Sequence, residues 1–425
     1  MPRDAGGVAG LGRRSSIGSR RSADAAAALL LVAASAVIVS AAIVGAGVSN
    51  PPPATPRRIG RPPPPTVVRA PGPPSAPRGR PQAVPNRGVQ QQQWPRNRRK
   101  LIWSEEFDRL DENLWEHLVT ASRGFNDEFQ YYRNDRRNSY VNNGVLYIQP
   151  TLTAAEYGDD FLYKGQLQYN NCNLKPCASA SGKDIVTPIQ SARIRTLGSF
   201  GFRYGRVEVR ARMPRGDWIW PAIWMKPVEN FYGGWPASGE IDIVEVRSNR
   251  KLTTASGVSQ GIDRMGTTLH FGPNSSYNVW RLTHWERSLE DVGGDYSDGF
   301  HIYEMSWTEK KIEFFVDKTY LGGIDAPQGG FWKLGGFDEN PGGKNIWENG
   351  GPMAPFDRQF FFVLNVAVGG RFFPDGWKNY PYPKPWNWTS PHPMQDFWEK
   401  RNWWLPTWDP VGSSMWVDYI RVYDS

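Results

Sequence analysis

Cysteine is nearly absent from this chain of 425 residues, which contains Cys172 and Cys177 and no others. Two cysteines exclude a fold held together by several disulfides, and no third ligand accompanies them, which argues against a metal site. Their C-x4-C spacing, with a proline between them, predicts one small disulfide that closes a local loop in an oxidising compartment. Two free thiols are the alternative.

Acidic residues are scarce at the N-terminal end of the chain. Residues 1–100 contain sixteen Lys or Arg and only two Asp or Glu, which gives this segment a net charge of +14. The net charge of the whole chain is +8. Residues 101–425 therefore carry −6, and the high pI of about 9.3 is a property of the N-terminal segment. A mildly acidic folded part argues against nucleic acid as its partner.

An uncharged apolar stretch, residues 25–48, lies within this basic region. It is longer than the core of a signal peptide and long enough to cross a bilayer. Positive charge before it keeps residues 1–24 cytoplasmic, which predicts a type II membrane anchor with the rest of the chain on the extracellular face. The alternative is a signal peptide cleaved near Gly45-Ala46-Gly47, which would release a secreted protein.

The segment that follows, residues 49–100, is rich in Pro and Arg and has too few apolar side chains to form a core. We therefore predict a disordered, extended linker there, and a folded domain over residues 101–425. Two N-glycosylation sequons, at Asn274 and Asn387, agree with export of that domain.

Residues 101–425 have a pattern that is typical of β-structure. Residues 205–213 alternate strictly between apolar and polar side chains, as a half-buried strand does. Turn residues separate further predicted strands at 145–149, 311–316, 360–368 and 416–423, and loops are predicted at 290–299 and 331–355. Because long helical periodicity is scarce, we predict an all-β fold, a single two-sheet sandwich or jelly roll.

One predicted strand, Gly239–Glu245, contains three carboxylates in six positions. Burying ionised carboxylates beside one another is costly, so such a strand is expected to direct them at something. Glu240 and Asp242 share a face because side chains alternate, and a β-bulge before Glu245 would bring the third carboxylate to the same surface. Three carboxylates in one groove are suited to cleaving a glycosidic bond. A solvated strand edge is the alternative.

Tryptophans surround this strand, in Trp218–Trp224 and in Gly234-Trp235-Pro236. The C–H faces of a sugar lie flat on an indole ring, so clustered Trp beside paired carboxylates indicates a carbohydrate cleft. Trp is also a common core residue, which leaves a structural role open for each of them.

Motifs along the whole domain extend this pattern. They are Trp115-Glu116-His117, Phe129-Gln130-Tyr131-Tyr132, Asn138–Val141, Ile148–Thr153, Gln190–Arg193, Pro214–Asp217, Trp220–Trp224, Gly234–Glu240, Thr268-Leu269-His270, Pro355-Phe356-Asp357, Leu364–Gly370 and Phe373–Gly376. In this order they resemble glycoside hydrolase family 16, specifically the laminarinase group that includes the invertebrate β-1,3-glucan-binding proteins. The spacing E-x-D-x-x-E resembles the laminarinase form of the motif.

The resemblance implies a concanavalin A-like β-jelly roll, with two curved antiparallel sheets, that holds an extended β-1,3-glucan. It also implies a retaining mechanism, in which Glu240 is the nucleophile, Glu245 is the general acid and base, and Asp242 tunes the pair. Catalysis of this kind needs no metal or other cofactor. Relatives often carry a structural calcium near the first and last strands, where Asp418 is the candidate ligand.

The resemblance further implies a set of substrate-binding residues. It comprises Trp220, Trp224 and Trp235 for stacking on sugar rings, Arg193 for hydroxyl groups on the non-reducing side, and His270 near the cleavage point. A hydrogen-bonded structural histidine is the alternative for His270. Asn365, in an apolar strand, is predicted to be a core amide.

The function that these features predict is a monomeric, retaining endo-β-1,3-glucanase similar to laminarinases. The alternative is a non-catalytic glucan-binding protein of the pattern-recognition type, since immune members of this group often lack one or both catalytic glutamates. Glu240, Asp242 and Glu245 are all present here, which favours the enzyme. A membrane-tethered glucan transglycosylase is the third possibility.

Overall fold

A computed structural model describes residues 99–121, 123–339 and 343–425. The predicted cytoplasmic segment, the predicted anchor and nearly all of the predicted linker lie outside these residues. Among the helices that are described, none is both long and apolar enough to cross a bilayer.

Strands account for most of the regular structure in this part of the chain. The first eleven are β1 (Leu101–Glu105), β2 (Glu116–His117), β3 (Gln130–Tyr132), β4 (Ser139–Asn142), β5 (Val145–Ile148), β6 (Thr151–Leu152), β7 (Gln166–Gln168), β8 (Ala178–Ala180), β9 (Ile189–Ser191), β10 (Arg193–Arg195) and β11 (Gly205–Arg212). The next eleven are β12 (Ile219–Pro227), β13 (Glu240–Val246), β14 (Leu252–Thr253), β15 (Arg264–His270), β16 (His284–Ser288), β17 (His301–Trp307), β18 (Lys311–Val316), β19 (Thr319–Asp325), β20 (Phe360–Val368), β21 (Lys378–Asn379) and β22 (Met415–Tyr423).

Two large antiparallel sheets contain most of these strands. The first, which we call the outer sheet, has the order β19-β18-β17-β11-β22-β5-β4, with β1 also paired to β22. The second, which we call the cleft sheet, has the order β16-β15-β13-β12-β20-β10-β2. Consecutive neighbours such as β17, β18 and β19 are hairpins, whereas β12 pairs with β20 across more than a hundred residues of sequence.

The main hydrophobic core lies between the two sheets. Strand β11 shows why, because its residues alternate between buried and half-buried along its whole length, as predicted from its sequence. Val207 and Val209 of the outer sheet and Ile223 and Leu364 of the cleft sheet belong to the same buried cluster. The all-β jelly-roll class predicted from the sequence is confirmed, and β18 and β20 have the predicted bounds.

Helices are short and lie in the connections. They are α1 (Thr153–Tyr157), α2 (Asp159–Lys164), α3 (Gly330–Leu334), α4 (Pro393–Glu399) and α5 (Arg401–Trp404). Helix α3 overlaps the predicted loop 331–355, which also contains a 3-10 turn at Phe337–Glu339. A second 3-10 turn, at Glu290–Val292, lies in the predicted loop 290–299. Phe331 and Trp332 of α3 are buried, so tertiary packing stabilises a helix too short to form alone.

Three predicted features lie on the periphery of the fold. Cys172 and Cys177 form a disulfide that closes the turn between β7 and β8. Asn274 and Asn387 are exposed, and each accepts a hydrogen bond from a backbone N–H two residues ahead in a turn. Both sequons are therefore accessible on the surface.

Candidate active site

The three carboxylates of β13 lie on one face of the cleft sheet. Pairing with β15 places Glu240 opposite His270 and shifts register between Asp242 and Glu245, which is the β-bulge predicted from the sequence. Ile243 and Val244 form the bulge and are both buried in the main core. Two successive core residues reverse the alternation, so Glu245 returns to the face that Glu240 and Asp242 occupy.

Glu245 occupies the least polar position of the three. Its cross-strand neighbours are Ala222 on β12 and Gly266 on β15, neither of which offers a charge. Burial, followed by the negative charge of Asp242, raises the pKa of Glu245 to about 7. Nε1–H of Trp220 donates a hydrogen bond to Oε1 at 3.0 Å, which limits this rise. A carboxyl group with such a pKa can donate and accept a proton near neutrality.

Asp242 and His270 form the centre of the cluster. Nε2 of His270 is 3.1 Å from Oδ2 of Asp242 and 3.9 Å from Oε1 of Glu240. Burial raises the pKa of Asp242. Burial alone would lower the pKa of His270, but the neighbouring carboxylates, Asp242 foremost, outweigh it and raise that pKa to about 9.

A stack of planar groups supports Trp220 from the side. The ring of Phe372 lies 4.2 Å from that of Trp220 at an interplanar angle of 14°. The guanidinium of Arg247 lies 3.6 Å from the centre of the Phe372 ring and 4.5 Å from that of Trp377. Burial lowers the pKa of Arg247 to about 10, which leaves it charged at neutral pH. Sequence reasoning missed this stack because Phe372 and Trp377 come from a loop over a hundred residues away.

A second cluster of polar side chains lies on the same face of the cleft sheet, on strands β12, β20 and β10. Oδ1 of Asn365 accepts hydrogen bonds from Nε1–H of Trp224 at 2.8 Å and from Nε–H of Arg193 at 3.3 Å. The Arg193 guanidinium also lies over the rings of Trp224 and Tyr132, at 4.6 and 5.3 Å. Asn365 is therefore the buried, satisfied amide predicted from the sequence, and it links two of the predicted sugar-binding residues.

The three predicted stacking tryptophans differ in how much surface they offer. Trp235 is 42% exposed, and its ring lies 5.7 Å from that of His270. Trp220 and Trp224 are 8% and 9% exposed, and each already packs a ring face against another group. Trp235 therefore offers an open face for stacking, whereas the N–H groups of Trp220 and Trp224 donate hydrogen bonds to Glu245 and Asn365.

Two places in the described residues bear on a bound metal. Glu240, Asp242 and His270 have ligand-type atoms within 4.8 Å of one another. The raised pKa of His270 puts a proton in this cluster near neutrality, and a metal ion bound through that nitrogen would have to displace it. The carboxylate of Asp418 forms an ion pair with Arg210, and this cation opposes calcium at the candidate position.

A jelly roll that presents paired carboxyl groups and indoles on one sheet face is typical of β-sandwich proteins of the glycoside hydrolase class. More narrowly, the chain belongs to the glycosyl hydrolases family 16, whose family model matches residues 160–328. The family predicted from the sequence is confirmed.

Comparison with known proteins supports this assignment. The chain is 44% identical over 342 residues to a β-1,3-glucan-binding protein of Penaeus monodon, covering 76% of this chain and 90% of that one. It is 33% identical to Gram-negative bacteria-binding protein 1 of Drosophila melanogaster, but covers 64% of that protein's length. The laminarinase catalytic domain of Thermotoga maritima MSB8 is similar in structure, with a TM-score of 0.50, 26% identity, and coverage of 77% and 98% of the two chains.

Proposed function

We propose that this chain binds β-1,3-glucan along the exposed face of the cleft sheet. The observation that carries the proposal is the row of aromatic, amide and guanidinium groups across that face, from Trp235 to Arg193. Such groups match the alternating C–H faces and hydroxyls of a glucan. The name of the Penaeus monodon relative, a β-1,3-glucan-binding protein that this chain nearly spans, supports the same ligand.

Substitution of Trp235 by alanine tests the binding proposal. We expect affinity for laminarin to fall roughly tenfold, which corresponds to about 1.4 kcal/mol, because the most exposed stacking surface of the cleft is lost. Isothermal titration measures the effect. Tyr320→Ala is the matched control, since Tyr320 is 53% exposed but lies on β19 of the outer sheet. Equal affinities for both variants would place the glucan elsewhere.

The second candidate function is hydrolysis of the same glucan by a retaining endo-β-1,3-glucanase mechanism. The observation that favours it is the environment of Glu245, a carboxyl group with a pKa of about 7 on the same face as Glu240. A binding surface alone has no need for a carboxyl group that exchanges protons near neutrality.

In this mechanism an oxygen of Glu240 forms a bond to the anomeric carbon while the bond to the glycosidic oxygen breaks. Glu245 gives its proton to that leaving oxygen and becomes a carboxylate. It then takes a proton from water, whose oxygen attacks the anomeric carbon and releases Glu240. The charges of Asp242 and His270 offset the charge that develops on Glu240 and Glu245 during these steps. The configuration at the anomeric carbon is retained because it inverts twice.

Transfer to a sugar hydroxyl instead of water would make the protein a transglycosylase. The two outcomes differ only in which acceptor enters the second step, so sizing the products of laminarin separates them: hydrolysis shortens every chain, whereas transfer also lengthens some. We propose that either activity operates outside the cytoplasm, because the Cys172–Cys177 disulfide suits an oxidising compartment. N-terminal sequencing of the mature chain distinguishes a retained anchor from a cleaved signal peptide.

Substitution of Trp220 by phenylalanine tests the role of its N–H group. The hydrogen bond to Glu245 stabilises the carboxylate, so its loss should raise the pKa of Glu245 above about 7. We expect the descending limb of kcat/KM against pH to move upward by up to about one unit. Trp416→Phe is the control, because Trp416 donates to Ser414 on the outer sheet. An unmoved limb would contradict the role assigned to Trp220.

A further inference from the structure

Strand β15 extends beyond the start of β16, its neighbour at the edge of the cleft sheet. The pairing of the two strands begins at Thr268, so the last two residues of β15, Leu269 and His270, have no partner in that register. The connecting loop, residues 271–283, covers this edge instead. Its Thr283 donates a hydrogen bond from Oγ1–H to the carbonyl oxygen of Leu269 at 2.7 Å. The loop therefore lies beside His270 where a strand would otherwise pair.

A glycine lets this loop return close to the end of β15. A Cβ atom at Gly272 would lie 2.1 Å from the carbonyl oxygen of Tyr277 and 3.2 Å from Cα of Asn278. No side chain fits into that space, so residue 272 has to be glycine for the backbone of residues 277 and 278 to pack against it. This close approach brings the side chain of Asn278 to the ring of His270.

The amide group of Asn278 contacts the ring nitrogen of His270 that does not face the carboxylates. Nδ2 of Asn278 lies 2.8 Å from Nδ1 of His270, whereas Nε2 of the same ring lies 3.1 Å from Oδ2 of Asp242. In this orientation Oδ1 of Asn278 is buried and, among the described residues, has no hydrogen-bond partner. A buried carbonyl oxygen without a donor is costly, which favours a different orientation of the amide.

The charge of His270 decides which amide atom should face it. Asp242 foremost, and then Glu240 and Glu245, favour the charged imidazolium. An imidazolium carries a proton on each nitrogen, so Nδ1–H needs an acceptor, and the NH₂ group of an amide is not one. A half-turn of the Asn278 amide places Oδ1 at Nδ1–H of His270. The buried oxygen then has a donor and the ring proton has an acceptor.

Packing alone does not determine which way round the imidazole lies. The rings of Trp235 and Trp280 lie 5.7 and 6.3 Å from that of His270. A half-turn of the imidazole exchanges nitrogen and carbon atoms of nearly equal size, so neither indole distinguishes the two orientations. Hydrogen bonds at the two nitrogens do distinguish them, because a half-turn would break both.

We propose that Asn278 is a positioning residue whose carbonyl oxygen accepts a hydrogen bond from Nδ1–H of His270 and so keeps Nε2–H directed at Asp242. Asn278 thereby acts on the carboxylates of β13 through His270. Its effect on the rate rests on the hydrolytic function proposed above, in which the charge of His270 offsets that of the carboxylates. The hydrogen bond itself does not depend on that function.

Nuclear magnetic resonance of the His270 imidazole tests the hydrogen bond without turnover. The full chain is labelled with ¹⁵N-histidine, and the signals of His270 are identified by their loss in His270→Gln. At pH 7 we expect a slowly exchanging proton on Nδ1 of His270 in the unchanged protein. Asn278→Leu keeps the size of the side chain but removes the acceptor. It should accelerate exchange of this proton roughly tenfold or more, because a hydrogen bond to a charged group is lost.

Asn278→Asp distinguishes the two orientations of the amide. A carboxylate can accept but cannot donate, so slow exchange should persist if Nδ1–H donates to residue 278 and should be lost if residue 278 donates to Nδ1. Asn402→Leu makes the same change as Asn278→Leu at an exposed position of α5 and should leave the spectrum unchanged. The signals of the other histidines show whether each variant is folded.

Three results would overturn the proposal. They are the absence of a slowly exchanging Nδ1–H proton from the unchanged protein, its persistence in Asn278→Leu, and its loss in folded Asn278→Asp.

Turnover of laminarin gives a second readout. Asn278→Leu should lower kcat roughly tenfold with little change in KM, and Asn278→Asp should restore most of the loss. A raised KM with an unchanged kcat would assign Asn278 to sugar binding and overturn the positioning role. If the unchanged protein lacks turnover but the spectra change as expected, the hydrolytic function fails while the hydrogen bond of Asn278 stands. Turnover by a protein whose spectra contradict the hydrogen bond would leave hydrolysis standing and reject this role of Asn278.

Discussion

Replacement of Glu240 by serine is expected to abolish the release of reducing sugar from laminarin while leaving laminarin binding intact. Serine has no carboxylate to form the glycosyl-enzyme bond, so the first step is lost. Removal of a nucleophile that acts with a partner group typically costs roughly four orders of magnitude or more in rate. Trp235 packs near His270 and Arg193 donates a hydrogen bond to Asn365, so neither of these proposed binding groups is held in place by a bond to Glu240.

A control and a contrary result complete this experiment. Glu313→Ser removes a half-buried glutamate of β18, where Glu313 pairs with Lys311 at 2.7 Å, and should leave turnover unchanged. Equal and negligible turnover by the unchanged protein and by Glu240→Ser, with laminarin bound by both, would reject hydrolysis. Binding would then be the whole function of the cleft, in agreement with the name of the shrimp relative.

Replacement of Glu245 by glutamine should produce the second largest effect. Glutamine cannot donate a proton, so we expect kcat on laminarin to fall by about 10²–10⁴-fold. An aryl glucoside with an acidic phenol as leaving group needs no such proton and should lose less in its first step. Because the acid must be protonated, kcat/KM of the unchanged protein should decline as pH rises through about 7. A decline that persists in Glu245→Gln would assign the proton to another group.

Glu245→Gln is expected to lower activity but to raise the stability of the folded protein. The pKa of Glu245 is raised on folding from an ordinary value of 4.5 to about 7, so the folded state holds this proton more tightly than the unfolded state. The resulting stabilisation is fully present below about pH 4.5 and is lost as pH rises to about 7. Glu245→Gln should therefore raise the melting temperature more at pH 8 than at pH 4. The reverse order would contradict the raised pKa.

Much of the fold was predictable because local sequence patterns reflect strand burial. Strict alternation in residues 205–213 predicted β11 to within one residue, and the apolar run Phe360–Val368 matched β20. Helices α3, α4 and α5 were missed because four to seven residues cannot display a helical period. They form where Phe331, Phe397 or Trp404 can be buried against neighbouring loops.

The candidate site was predictable in its residues and less so in their roles. The bulge followed from the spacing of Glu240, Asp242 and Glu245, since only an added residue brings all three to one face. The burial of Trp220 and Trp224 did not follow, because it depends on Phe372 and on Arg193, which other segments supply. A Trp in a sequence predicts a large aromatic surface but not how much of it remains open.

The sequence by itself determined which residues lie on which face of β13, because the alternation of side chains and its interruption by a bulge are local properties of the chain. Tertiary structure decided that the pKa of Glu245 lies at about 7. Glu245 lies between Ala222 and Gly266, two uncharged neighbours that strands β12 and β15 supply. A pKa depends on burial and on charges within a few ångströms, and both depend on which distant segments pack together.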